Sequence, residues 1–341
     1  MKSNAQFSLV ESRTAIDLDL NGKVKSIKTI KYAAIDSNGV IKKGPLNEVN
    51  STNRFYTLHP NGQIATRIHF NEKLEKTYEI NYDSTGKPLN EIHFINNKVK
   101  TTSKYRYNKD QELISRCQYE DADSTCWLYI FNDKHQKVKE NQIDKSGKIP
   151  SSREYIYDEF GNIVEIWSRN GSKETKSILA YDVDSNLTEY CMYNKEGLLL
   201  SCKYYEYDEY GNRTQYTTLV DGQLKNKTVI TYDENGNRLS YKRWNEYMEL
   251  VSNEKYVYEN DLLTEIITVN ESGGNTRNET YLYNEQGDRT AIIYHFPYGG
   301  ESFREEMKYT YDSHGNWTRQ VLYNSGRVYA LIEREIKYYT K

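Results

Sequence analysis

The phrase YDEFGN at residues 157–162 returns as YDEYGN at 207–212, YDENGN at 232–237, YNEQGD at 283–288 and YDSHGN at 311–316. No other feature constrains the fold so strongly. Aligning on the first residue of the phrase gives anchors at Ile35, Leu58, Tyr82, Tyr107, Phe131, Tyr157, Tyr181, Tyr207, Tyr232, Tyr258, Tyr283 and Tyr311. Their spacing is about 25 residues, and a near-constant period of that size marks a repeat architecture. Tyr105, Tyr155, Tyr205, Tyr256, Tyr281 and Tyr309 stand two positions before their anchors. An i, i+2 pair is strand periodicity, with both side chains on one face.

After the anchor come Asp or Asn, two variable positions, then usually Gly and Asn. The acid or amide bonds its own backbone to open a turn, and glycine supplies the positive φ that closes it. A looser second turn follows roughly twelve residues later, as in SRNGSK, YNKEGL, LVDGQ, NESGGN and YNSGR. Each repeat therefore predicts two short strands and two turns, and the chain one long antiparallel meander of about two dozen strands. YNKDQE at 107, FNDKHQ at 131 and YENDLL at 258 lack the glycine but keep the flanking strand pattern, so they count as repeats. Residues 23–341 form the array, and residues 1–22 ahead of it are expected to be an N-terminal cap or a leader remnant. Laid flat, so many strands would extend roughly 115 Å, which twist forbids. The expected fold is all-β: tandem hairpin repeats coiling into an open superhelical strip, with the paired anchors on its inner face. The lysines in the terminal IKYYTK are expected to protect a free edge.

Composition agrees with thin, partly wetted cores. Hydrophobic residues make up only 37% and mean hydropathy is −0.90, yet 33 tyrosines separate this chain from disordered ones. Proline, at five residues, is scarce, as strands that need their backbone donors require. The 46 basic and 49 acidic residues are interspersed, with net charge −3, which gives no basic face for nucleic acid. No run has the length and apolarity of a transmembrane helix, and MKSNAQFSLVES lacks the apolar core of a signal peptide. Membrane insertion is not expected. The compartment is expected to be extracytoplasmic if a leader has been removed, and cytoplasmic otherwise.

The phrases YDEFGN, YDEYGN, YDENGN and YDSHGN resemble the YD repeats of RHS proteins, over about residues 30–340. The resemblance implies a β-strip that spirals into a shell, in some members around a toxin; related arrays occur in cell-surface adhesion proteins. LNGKVKSIKTIKYAAIDSNGVIKKG near the start is similar to the opening of short YD-repeat proteins of Bacteroidetes-type bacteria. The chain departs from the toxin carriers in lacking a DPxGL-type motif. A closed cocoon would also need far more chain.

Little in the sequence points to catalysis. His69 and His93 lie one repeat apart, so they should sit two strands or roughly 10 Å from each other, too far to share a metal ion. Cys117 and Cys126 flank one second turn, and Cys191 and Cys202 flank another. Each pair either faces across a hairpin as a disulfide or stays as buried thiols. Asp83, Asp158, Asp208, Asp233 and Asp312 already open their loops, and DADS at 121–124 lacks the rest of a calcium loop. No GxSxG, P-loop or dinucleotide fingerprint occurs. The expected protein is not an enzyme and uses no cofactor or metal. The tyrosines, with Trp127, Trp167, Trp244 and Trp317, first serve as cross-strand core. Their number exceeds what one face can hide, and Trp167, Tyr204, Tyr216 and Trp244 are the candidate ligand contacts. The expected function is a non-enzymatic repeat protein presenting an extended Tyr-rich surface to a protein or a cell-envelope glycan. The alternative is a structural or encapsulating RHS-like shell fragment, closed by a second chain and without a ligand of its own.

Overall fold

The structure is a computed structural model that describes residues 18, 20–46, 53–296 and 302–340. Most of the expected N-terminal cap, residues 1–17 and 19, lies outside the described residues. Twenty-five strands, from β1 (Val24–Ser37) to β25 (Arg327–Tyr338), belong to one sheet.

The repeated phrase builds one loop again and again. In residues 158–162 the Asp158 amide donates to the Asn162 carbonyl at 2.9 Å. Asp158 Oδ1 accepts the amides of Phe160 and Asn162 at 3.0 and 2.8 Å, and Asn162 Nδ2 donates to Oδ2 at 3.1 Å. Gly161 takes φ +88°, the left-handed conformation the loop demands. The copies without glycine split two ways. Gln111 and His135 adopt φ 66° and 60° and keep the loop, at a steric cost. The copy after Tyr258 instead tightens to a two-residue turn, with Asn260 and Asp261 at φ 52° and 62° and Glu259 opposite Leu262.

The anchors are tyrosine rather than phenylalanine for a visible reason. The hydroxyl of Tyr157 donates to the Lys137 carbonyl at 2.8 Å, Tyr181 to Ile163 at 2.9 Å, Tyr207 to Leu187 at 2.8 Å and Tyr283 to Leu263 at 2.8 Å. Each anchor thus ties its repeat to the one before it. The ring covers apolar surface while its hydroxyl satisfies a backbone acceptor at the strand end. Burial pushes the Tyr181 hydroxyl up to about 12, so it remains a donor throughout the neutral range.

The strip is not open. One edge of β1 pairs with β25, from Ser26 opposite Lys337 to Ala33 opposite Ala330. Its other edge pairs with β3 (Arg54–Leu58) and, further along, with β2 (Val40–Leu46). The meander's ends therefore meet, and the sheet closes as a 24-strand antiparallel barrel with β2 as a side strand. The expected open superhelical strip is corrected accordingly. Lys337 stands in a paired strand rather than on a free edge, and no second chain is needed for closure. One physical cause recurs along most of the array. The register slips by one residue just before the anchor, as at Ile156/Tyr157, Ala180/Tyr181, Glu206/Tyr207 and Thr231/Tyr232. Such bulges bend the strand and add twist.

The described residues form two compact units. The first (Met1–Leu128, Ile143–Lys148, Glu305–Lys341) holds the seam. Its core joins Leu20, Val24, Ile27, Tyr56, Leu58, Ile64, Ile80 and Tyr82, with Ile336 and Tyr338 packed against them. Burying each isoleucine there contributes about 1.5–3 kcal/mol. Asn316, 2% exposed, leaves the loop partner its equivalents keep. Its Nδ2 donates to the Asn21 carbonyl at 2.8 Å and the Tyr338 hydroxyl at 2.7 Å, and its Oδ1 accepts the Asn21 amide at 2.7 Å. Tyr338 in turn donates to Asp312 Oδ2, the oxygen whose equivalent on Asp158 accepts Asn162. The second unit (Tyr129–Gln142, Ile149–Arg304) is a plainer run of hairpins, and it carries the aromatic candidates.

Candidate functional site

Four strands of the second unit build the site: β12 (Ile163–Asn170), β13 (Lys173–Tyr181), β14 (Leu187–Asn194) and β15 (Leu199–Tyr207). Register places Trp167 opposite Lys176 and Lys176 opposite Tyr193. The neighbouring row on the same face runs Glu165, Ile178, Cys191, Cys202. A cavity of about 310 Å³ opens there, lined by Trp167, Glu174, Lys176, Ile178, Tyr193, Asn194 and Lys195 among others. The loop at Asn194 forms its lip. Asn194 Oδ1 accepts the amides of Glu196 and Leu198 at 3.1 and 2.8 Å, and Gly197 turns the chain at φ +81°.

The indole is held but not covered. Trp167 Nε1 donates to Glu165 at 3.0 Å, and Lys176 Nζ lies 4.9 Å from the ring centroid. Lys176 also pairs with Glu165 at 2.8 Å and, with the indole donor, holds that carboxyl below its ordinary range. Trp167 nevertheless remains 48% exposed. A tryptophan fixed at its polar edge and open to solvent is pre-oriented for stacking.

Three of the four candidate ligand residues share this face. Trp167 lines the cavity. Tyr204 is 40% exposed and opposite Glu189, and its row continues through Thr217 and Lys227 to Trp244. Three strand spacings separate Tyr204 from Trp244, about 14 Å. Tyr216 faces the other way: it pairs with Tyr205, and Arg213 lies 4.9 Å over its ring. Tyr193, Lys176 and Glu174 escaped the sequence reading, because only the strand register brings them to Trp167.

Cys117 and Cys126 face each other with Cα atoms 4.0 Å apart, and Cys191 and Cys202 at 4.1 Å; each pair is disulfide-linked. The Tyr78 ring stands between His69 and His93, with centroids 5.4 and 5.0 Å away. His93 instead meets Glu91 at 2.9 Å, a carboxylate 6% exposed that also accepts the Tyr105 hydroxyl at 2.7 Å. Burial and the Arg67 and Arg54 charges lower His69 to about 4. Asp158, Asp208 and Asp233 are engaged within their own loops.

Fold and site define a closed antiparallel β-barrel built from hairpin repeats, with an aromatic groove on one face of the sheet. No family model matches the chain, and no curated protein does. Among solved structures it is similar to a TcdB2-TccC3-TEV structure at 14% identity and TM-score 0.41, covering 89% of this chain and 19% of that one. A Photorhabdus luminescens Tc holotoxin pore matches at 13% identity and TM-score 0.41, over 89% of this chain and 18% of that one. A porin-like protein from Bacteroides uniformis matches at 12% identity and TM-score 0.28, over 93% of this chain and 99% of that one. The chain thus spans under a fifth of the toxin chains' length. None of these likenesses is close enough to carry an argument about function.

Proposed function

We propose that this is a non-enzymatic binding protein of the YD-repeat type, whose groove at Trp167 takes a cell-envelope glycan. The observation that carries the reading is the exposed, pre-oriented indole beside a cavity whose other walls offer Tyr193, Asn194, Glu174 and Lys195. A sugar ring has an apolar face for the indole and hydroxyls for the amide and charged groups. The protein works beside a membrane rather than within it. A barrel in lipid needs an uninterrupted apolar band on its outer face. Here the first unit carries Arg67, Glu91 and Arg116 in mid-strand on one face and Lys104 on the opposite one, and in the second unit the Trp167 face carries Lys176 and Lys227 in mid-strand. Two disulfides support a compartment outside the cytoplasm.

Titrating intrinsic tryptophan fluorescence against a panel of envelope oligosaccharides tests the proposal. Saturable quenching in the wild type, weakened about tenfold or more in Trp167→Ala with an unchanged circular dichroism spectrum, is the expected result. A panel without response, or a response indifferent to Trp167→Ala, refutes it.

A further inference from the structure

The loop tips of the second unit pose a separate question. Phe160 is 80% exposed, Val183 100% and Tyr210 60%. They sit in three consecutive loops on one end of the sheet, residues 158–162, 182–186 and 208–212. Neighbouring tips are two strand spacings apart, about 10 Å. The loop itself does not need these side chains. At the position of Phe160 and Tyr210, other repeats carry Asn61, Thr85, Asp110, Lys134 and Asn235. An aromatic exposed at a tip that accepts any polar residue is a cost to solubility without a structural return.

Charge identifies what such a rim would meet. These three loops and the next, 233–237, hold eight carboxylates and no lysine or arginine. Asp158, Asp182, Asp208 and Asp233 are engaged by their own loop amides. Glu159, Asp184, Glu209 and Glu234 have no side-chain hydrogen bond or ion pair among the described residues. In a chain of net charge −3, this is a concentrated negative field around three apolar points. It repels an anionic membrane surface and attracts cations.

We propose that this rim docks a basic, extended segment of a partner protein. The apolar tips take apolar side chains, and Glu159, Asp184, Glu209 and Glu234 meet lysines or arginines between them. In the polyproline II conformation an extended segment rises about 3.1 Å per residue with three residues per turn, so every third side chain lies on one face about 9 Å from the next and matches the tips. The rim is distinct from the Trp167 groove, and its test does not depend on that site.

The probe is a short synthetic peptide repeating leucine-lysine-lysine, titrated into the full chain by calorimetry. Wild type binds saturably, and affinity drops about tenfold between low and high salt, since exposed charges are screened. The triple variant Phe160→Ser, Val183→Ser, Tyr210→Ser loses about tenfold or more. The variant Glu159→Gln, Asp184→Asn, Glu209→Gln, Glu234→Gln loses a similar factor. Both sets lie at exposed tips, where substitution leaves stability nearly unchanged. The proposal is overturned by absence of saturable binding, or by binding that either variant leaves intact. It is also overturned if the wild type instead binds vesicles of neutral phospholipid and the tip variant does not, which makes the rim a membrane contact.

Discussion

Asn316 offers the sharpest test of closure, because the same residue in another repeat serves as its control. In Asn162 the side-chain amide bonds Asp158 Oδ2 in its own loop at 3.1 Å and Ser185 Oγ in the next repeat's loop at 3.2 Å. In Asn316 three bonds of 2.7–2.8 Å reach Asn21 and Tyr338, across the seam between chain start and chain end. A net hydrogen bond contributes about 1 kcal/mol, and a buried partner left unpaired costs about 1–3. By that measure Asn162→Ala, losing two bonds, should cost about 2 kcal/mol, and Asn316→Ala, losing three and leaving Asn21 unpaired, about 4. Urea unfolding at constant m-value reads the difference as a shift in midpoint. Hydrogen exchange adds position: Asn316→Ala should lower protection of the β1 amides between Ser26 and Ala33, which face β25. Asn162→Ala should not. If the two variants lose equal stability, or if β1 exchanges as a free edge in the wild type, the closed seam is wrong.

Other expectations follow from the same loops and ladders. Leu74→Gly relieves a leucine at φ 58° in a loop of the common type, and should raise stability by about 1 kcal/mol in the same urea assay. Tyr181→Phe removes the 2.9 Å bond to the Ile163 carbonyl while keeping the ring, at a cost of about 1 kcal/mol; an unchanged midpoint would show that the hydroxyl stitch is unimportant. His69 is lowered to about 4 from an ordinary 6.5, so between those values the unfolded chain binds a proton that the folded one refuses. Its stabilising effect should be complete above pH 6.5 and fade as pH falls towards about 4. His69→Gln should flatten that part of the stability–pH curve. Glu91, held below its ordinary range by Tyr105, His93 and Arg116 against the opposing effect of burial, should add a further loss at still lower pH.

Much of this molecule can be read from its repeat. The period, the two strands per repeat and the Asp-to-Asn loop are all local, fixed by turn chemistry and alternation within a few residues. Hence YDEFGN folds as its residue types dictate, and Gln111 and His135 keep the loop even without glycine. The candidate site was legible in part. Trp167, Tyr204 and Trp244 share a face, but Tyr216 does not, and the partners of Trp167 could not be named. Those partners come from other strands, and their position depends on register, which single-residue bulges beside the turns shift. Closure is the extreme case. Whether β25 returns to β1 depends on twist and bulge summed over the whole sheet, and then on a few bonds such as those of Asn316. YDSHGN reads like its sister phrases, yet its asparagine abandons the local bond to hold the seam. By itself, the sequence determined the repeating unit, because that unit is stabilised by neighbours in the chain. Only the tertiary structure decided that the last strand returns to pair with the first and which aromatics share a groove, because the contacts responsible join residues far apart in sequence.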